Sequence, residues 1–124
     1  MAIVYAAIGG MQLKSWTGYF KIIWPTIRVL GQAKKADGCI HADMFKDQNV
    51  YFAVSVWKST DAMRAFANSG LHSSLKEMAM DTMSVFHNHT KECDEIPNRK
   101  QCVEYWQAEM VRRSGQGSVG VYQA

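Results

Sequence analysis

The segment from Tyr51 to His72 constrains the fold most, because its pattern changes from strand to helix within a few residues. Apolar residues occupy every second position from 50 to 56, and β-branched and aromatic residues at this period predict a half-buried strand. Ser59 or Thr60 can then cap a short helix, which Gly70 would end. We therefore predict a strand followed by a helix, with His72 placed directly after that unit.

Three more strands and one long helix are predicted around this unit. Residues 2–11 are apolar on both faces, which favours a central strand. Residues 39–45 alternate and lead into a turn at 47–49, and residues 101–108 alternate again as a last strand. Between the strands at 2–11 and 39–45, apolar residues spaced three and four apart from 13 to 30 predict a helix. Pro25 should kink or break this helix near Trp24.

The segment from Ser74 to Thr90 is less clear. Ser74 and Glu77 have the spacing of a capping box, and apolar residues keep helical spacing as far as position 86. His87-Asn88-His89 could finish this helix or belong to a strand that starts at Ser84. We prefer a helix that continues to about Thr90.

The order strand, helix, strand, strand, helix, strand predicts an α+β fold, a ferredoxin-like split βαββαβ antiparallel sheet with helices on one face. Residues 1–110 would form this domain and 111–124 a Gly/Ser-rich C-terminal tail. The opposite sheet face would be too apolar to stand in water, which predicts a homodimer closing as a dimeric α/β barrel around a cavity. That face is expected to carry Tyr5, His41, Phe45, Tyr51 and Trp57.

Composition excludes several classes of protein. The formal net charge is only +3, and the basic residues are dispersed, so no nucleic-acid partner is expected. No apolar run is long enough to span a membrane, and none resembles a signal peptide, so we expect no membrane partner. Three cysteines without a Cys-x-x-Cys spacing favour reduced thiols, and therefore a cytoplasmic location.

Histidines and aromatic residues supply the candidate site. His72 is the candidate catalytic acid or base, since imidazole titrates near neutral pH; it could instead cap a helix or bind a carbonyl. His41 and Asp43 share one strand face and could act as a base and its orienting carboxylate, although such pairs are more often solvated. Flat apolar substrates favour aromatic walls, while the same side chains could simply pack a core or a subunit contact. The candidate substrate-binding residues are His41, Asp43, Tyr51, Trp57, Trp106, Trp24 and Phe20.

Metal binding is not expected. His87 and His89 would share a face on a strand but diverge on a helix, and no companion carboxylate has an obvious spacing within that segment. Cys39, Cys93 and Cys102 have no neighbouring histidine in the sequence, which favours inert thiols.

Several of these motifs together resemble the dimeric α+β barrel superfamily, which includes the antibiotic-biosynthesis monooxygenases, and in particular a branch near spheroidene monooxygenase. The resemblance rests on Ser55-Val56-Trp57, then Asp61, then Ala62-Met63-Arg64-Ala65-Phe66, then Ser69-Gly70-Leu71-His72, with Cys93-Asp94-Glu95 and Trp106 later in the chain. The spacing from His72 to Cys93 departs from the family pattern, with MAMDTMSVFHNH as apparent extra length.

The resemblance implies a monooxygenase-like enzyme acting on a small aromatic, polyketide-like or isoprenoid molecule. In a cofactor-free route, His72 would deprotonate the substrate, and the resulting carbanion would reduce oxygen. The resemblance also makes haem possible, with a histidine as axial ligand. The same pocket could instead run an isomerase, cyclase or lyase reaction, or the chain could be a non-catalytic ligand- or haem-binding dimeric module.

Overall fold

The computed structural model describes residues 3–13, 16–67 and 83–115, with the side chains of 13, 16–23, 83–86 and 115 left out. These residues form four strands and three helices around one sheet. The elements are β1 (Val4–Leu13), α1 (Trp16–Lys35), β2 (Cys39–Asp47), β3 (Val50–Trp57), α2 (Thr60–Ala67), β4 (Met83–Cys93) and α3 (Arg99–Gly115). The sheet is antiparallel throughout in the order β2-β3-β1-β4, which confirms the predicted α+β, ferredoxin-like fold.

The first strand is central, as its two apolar faces predict. Ile8 lies opposite Val54 of β3 on one side and opposite His89 of β4 on the other. The hairpin between β2 and β3 closes at Gln48, whose φ of 53° is a left-handed turn conformation. The predicted strand over residues 50–57 is also confirmed.

One face of the sheet is covered by α3, and we call it the α3 face. It is built from the even-numbered residues of β1 and β3, which pack with three α3 side chains spaced four apart. Trp106 sits at the centre, because its ring meets Phe52 edge-on at 5.2 Å and its Nε1 donates to the His87 carbonyl at 2.9 Å. The buried cluster comprises Val4, Ala6, Ile8, Val50, Phe52, Val54, Val56, Cys102, Trp106 and Met110.

The other face, which we call the α1–α2 face, carries the odd-numbered residues of β1 and β3. Met11 and Trp57 are buried there, while Val29 and Ala33 are the buried side of α1, which contacts β1, β2 and β3. The ring of Trp57 also contacts Phe66 of α2. Helices therefore lie on both faces of the sheet, and the expectation of helices on one face is wrong.

That correction follows from the segment after residue 98, which is a helix where the sequence analysis predicts a strand at 101–108. Asn98 caps it reciprocally: the Gln101 N–H donates to Asn98 Oδ1 at 2.8 Å, and the Asn98 N–H donates to Gln101 Oε1 at 2.9 Å. The helical spacing of Cys102, Trp106 and Met110 outweighs the local alternation. Because α3 runs to Gly115, the predicted domain boundary at 110 falls inside it.

Residues 83–90 form the first part of β4, so the predicted helix over this stretch is wrong as well. His87 and His89 pair with Gly10 and Ile8 of β1, and both histidines lie on the α3 face. Residues 68–82, including the predicted Gly70 helix end and the capping box at Ser74, lie outside the described part of the chain.

The long first helix continues through Pro25 instead of breaking there. Among the residues that the model describes, no helix is long and apolar enough to cross a membrane.

Candidate functional site

The α1–α2 face presents an aromatic residue that combines an apolar ring with a bound polar atom. Trp57 is 1% exposed, and its Nε1 donates to Ser55 Oγ at 2.8 Å. The two side chains meet because residues two apart on a strand point to the same face. The ring centroid of Phe66 in α2 lies 5.5 Å from that of Trp57. The Trp57 ring is therefore packed inside the chain, and its one donor is already satisfied.

The short helix α2 covers part of the α1–α2 face. Ser59 caps it, since Ser59 Oγ accepts the Ala62 N–H at 3.1 Å, as the sequence predicts. Farther along, Thr90 Oγ1 of β4 lies 3.9 Å from Met63 Sδ. The helix thus connects β3 to the far edge of the sheet. His72, the predicted acid or base, follows α2 but lies outside the described residues.

The predicted substrate-binding residues do not gather in one place. Trp57 and Tyr51 lie on the α1–α2 face, whereas His41 and Asp43 of β2 share the α3 face with Val56 and Val54. This division also overturns the single apolar face expected for Tyr5, His41, Phe45, Tyr51 and Trp57, because residues opposite one another in the register take the same side.

The remaining aromatic candidates lie elsewhere. Trp106 is not on a strand near Trp57 but on α3, fully buried on the opposite side of the sheet. Trp24 is 65% exposed on the outer side of α1, which places it outside any enclosed pocket. The Phe20 side chain belongs to the part of α1 whose side chains are not described.

On the α3 face, Asp43 is occupied by an arginine instead of orienting His41. Arg99 Nε donates to Asp43 Oδ2 at 2.7 Å, and Arg99 Nη2 donates to Oδ1 at 2.9 Å. This hydrogen bonding holds the pKa of Asp43 below its usual value. The guanidinium also lies 5.1 Å from the centre of the Phe45 ring. The pair therefore fastens the beginning of α3 to β2, while His41 stays exposed.

A second polar cluster joins the far part of α3 to β4. Glu109 accepts from Arg112 Nε at 2.5 Å and from Arg113 Nε at 3.0 Å, and His89 Nδ1 lies 3.8 Å from the same carboxylate. The hydrogen bond from Arg112 is the main cause that lowers the pKa of Glu109 to about 2. Arg113 also donates to the Asn88 carbonyl at 2.8 Å.

Both histidines in this region favour the neutral form. Burial is the main cause that lowers the pKa of His87, and the charge of Arg113 adds to it. Burial also lowers the pKa of His89, assisted by Arg113, Lys91 and Arg112 and opposed by Glu109. The strand geometry puts the two rings on one face, yet within the described residues no three His, Cys, Asp or Glu side chains are grouped to hold a metal ion.

A cleft of about 310 Å³ lies where β4 turns into α3. Its lining is mostly polar or charged, unlike the apolar pocket that the sequence analysis expects. The lining residues are Lys91, Glu92, Cys93, Asp94, Glu95, Pro97, Gln101 and Tyr105. Burial raises the pKa of Cys93, and it raises that of Cys102 to about 11, so both free thiols are poor nucleophiles at neutral pH.

Comparisons with known proteins place this architecture. Residues 28–78, less than half of the chain, match the family model described as antibiotic biosynthesis monooxygenase. The fold is also that of solved structures carrying this description: one crystal structure of an antibiotic biosynthesis monooxygenase is 12% identical, with a TM-score of 0.62, covering 75% of this chain and 99% of its own. The chain therefore resembles the antibiotic biosynthesis monooxygenases over residues 28–78 and shares the fold of that solved structure.

Other solved structures with this fold are also distant in sequence. A protein from Shewanella oneidensis is 9% identical with a TM-score of 0.66, over 74% of this chain and 92% of that one. A protein from Mycobacterium tuberculosis is 9% identical with a TM-score of 0.64, over 77% of this chain and 98% of that one. No curated protein matches this sequence. At such identities, these solved structures establish the fold alone.

Proposed function

We propose that this chain is a monooxygenase-like enzyme that oxidises a small apolar molecule, of aromatic, polyketide-like or isoprenoid type, on its α1–α2 face. The observation that carries the proposal is the extent of the family match. Residues 28–78 run from the middle of α1 through β2, β3 and α2, which are the elements around Trp57. The similarity to monooxygenases therefore coincides with the elements that pack around Trp57 and Phe66.

The proposed chemistry needs a base, an acidic substrate position and dioxygen. His72 would remove a proton from an activated CH₂ group, giving a carbanion. The carbanion would transfer electrons to dioxygen and combine with it as a peroxide, which loses water to leave a ketone. One oxygen atom enters the substrate and the other leaves as water, and both hydrogens come from the CH₂ group. Trp57 is 1% exposed and its N–H is bound by Ser55, so its ring would support this face from inside the core without contacting the substrate.

We further propose that the enzyme is a cytoplasmic homodimer. The superfamily resemblance supports a dimer, and three free cysteines support a reducing compartment. A bare apolar sheet face does not support the dimer, because α3 of the same chain covers the α3 face. Light scattering of the purified chain distinguishes a monomer from a dimer.

The decisive experiment measures dioxygen uptake with an anthrone, whose central CH₂ group is acidic and whose ketone product absorbs at a different wavelength. Wild-type protein should consume one dioxygen per ketone formed. His72→Ala should reduce this rate at least about a hundredfold, because general base catalysis contributes on that order. The exposed His41→Ala is the matched control and should retain the wild-type rate.

Other outcomes would redirect the proposal. Substrate turnover without oxygen uptake would indicate isomerase, cyclase or lyase chemistry, while saturable binding without turnover would indicate a ligand-binding module. A Soret absorption band in the purified protein would indicate haem chemistry instead of the cofactor-free route. Full activity in His72→Ala would remove this residue from the mechanism.

A further inference from the structure

The outer side of α1 carries an exposed patch that the proposed oxidation does not use. Trp24 is 65% exposed and Ile27 46% exposed, and they lie three positions apart on the same side of the helix. Gly31 follows one turn later, and a Cβ built there meets nothing within 4 Å. Two large apolar side chains therefore stand in solvent beside an open stretch of helix.

Basic residues share this side of the helix. Arg28, Lys34 and Lys35 are all exposed, and the 3.6-residue period places them on the side that carries Trp24 and Ile27. No Asp or Glu occurs anywhere in α1. The buried residues Thr26, Val29 and Ala33 occupy the opposite side, so the patch cannot turn inward without unpacking the helix.

We propose that this patch, Trp24, Ile27, Arg28, Gly31, Lys34 and Lys35, docks the protein on an anionic membrane surface. Tryptophan is favoured at the headgroup level of a bilayer, and a basic helix with exposed apolar residues is typical of peripheral membrane contact. The positive charges complement anionic lipids, which are concentrated in the cytoplasmic leaflet. This proposal revises the sequence-based expectation of no membrane partner, which considered only a spanning segment.

A second copy or another protein fits this patch less well. Two copies related by a twofold axis would bring acid-free basic helices together, and like charges would repel. Protein interfaces have charge-depleted cores and are poor in lysine, whereas this patch has two apolar side chains among three cations. The inference does not require the proposed oxidation, because binding to lipid is measured without any substrate.

Vesicle co-sedimentation tests the proposal with the full chain. Binding should be weak on phosphatidylcholine vesicles, rise with the fraction of phosphatidylserine, and fall as salt is added. Lys34→Gln/Lys35→Gln should weaken binding by about 25-fold, since each lysine near an anionic surface contributes about fivefold. Trp24→Ser should also weaken it and should remove the blue shift of tryptophan fluorescence seen on binding.

Matched control variants lie on α3. Lys100→Gln removes an exposed lysine there, and Val111→Ser replaces a valine that is 69% exposed. Both should bind vesicles like wild type, and circular dichroism should show every variant folded. The proposal is wrong if wild type ignores anionic vesicles, if neutral vesicles bind as strongly, or if the α1 and α3 variants lose binding equally. Tight binding to poly-glutamate without vesicle binding would overturn it in favour of an acidic protein partner.

Discussion

Arg99, the first residue of α3, donates two hydrogen bonds to Asp43 in the middle of β2, at 2.7 and 2.9 Å. The two residues are 56 positions apart. The pair therefore ties α3, which follows β4 in the chain, to β2, the edge strand farthest from β4. It stands beside the aromatic contacts of Phe45, Phe52 and Trp106. The clamp fixes where α3 begins on the α3 face.

Replacing Asp43 with Asn should loosen this attachment. The effect on global stability should be modest, because the Arg99 side chain is 63% exposed and exposed pairs contribute little. Hydrogen exchange of the α3 amides should nevertheless accelerate. Asp47→Asn, near the end of the same strand, is the control and should leave that exchange unchanged.

The same variant predicts a pH dependence. The pKa of Asp43 is lowered in the folded state, so its contribution to stability is present above the ordinary aspartate pKa of 3.8 and is lost as pH falls through the folded pKa. The urea midpoints of wild type and Asp43→Asn should therefore differ at pH 6 and converge toward pH 2. Equal differences at both pH values would contradict the role of this carboxylate.

The two histidines under α3 should make the protein less stable in mild acid. Their folded-state pKa values lie below the ordinary histidine pKa of 6.5, so the unfolded chain binds more protons as pH falls through that value. Stability should be full above pH 6.5 and decline as pH approaches 5. Urea titrations should show a flatter profile for His87→Gln/His89→Gln than for wild type.

Two glycines should respond in opposite directions to alanine. A Cβ at Gly10 would clash with the Trp106 ring, which is held by the His87 carbonyl and Phe52, so Gly10→Ala should cost about 1–3 kcal/mol. Gly31 lies in helix α1 with open space around it, so Gly31→Ala should gain about 0.5–1 kcal/mol. Chemical denaturation measures both. A stabilised Gly10→Ala would show that α3 does not press on β1 as described.

Removing the Ser55 hydroxyl should lower the stability of the protein by leaving Trp57 without a hydrogen-bond partner. Ser55→Ala leaves the buried Trp57 Nε1 without its 2.8 Å partner, at a cost of about 1–3 kcal/mol. Ser55→Thr keeps an acceptor and suits a strand, so it should be close to wild type. Thermal unfolding of the two variants gives the comparison, and equal stability would mean that the hydrogen bond contributes little.

The elements of the fold that could be predicted from the sequence are those whose local signals agree with one another. The β3–α2 unit is predictable because its alternation, its Ser59 cap and its apolar spacing all agree. The helix α3 is not, because Val103 and Tyr105 alternate by coincidence while the stronger signals are the Asn98–Gln101 cap and the four-residue spacing from Cys102. A search for Asn as well as Ser or Thr caps could have found it.

The strand β4 was hidden for a different reason. Its α3 face is polar through the middle of the strand, at His87, His89 and Lys91, so no continuous apolar alternation marks it. They are tolerated because α3 supplies the partners: Glu109 lies beside His89, and the Lys91 ammonium lies 5.2 Å from the Tyr105 ring centre. The predicted site residues lie apart for a related reason. The predicted strand at 101–108 is part of helix α3, so Trp106 lies on the opposite side of the sheet from Trp57.

The position of β1 between β3 and β4 has a consequence for how the chain is made on the ribosome. β1 is made before β3 and can pair with it early, but its other edge waits for residues 83–93, and the apolar α3 face waits for Trp106 and Met110. A nascent chain is thus apolar on one exposed side of the sheet until α3 has been added. Products truncated before α3 should aggregate. Chaperones that bind nascent chains should matter more for this protein than for one whose first elements form a closed core.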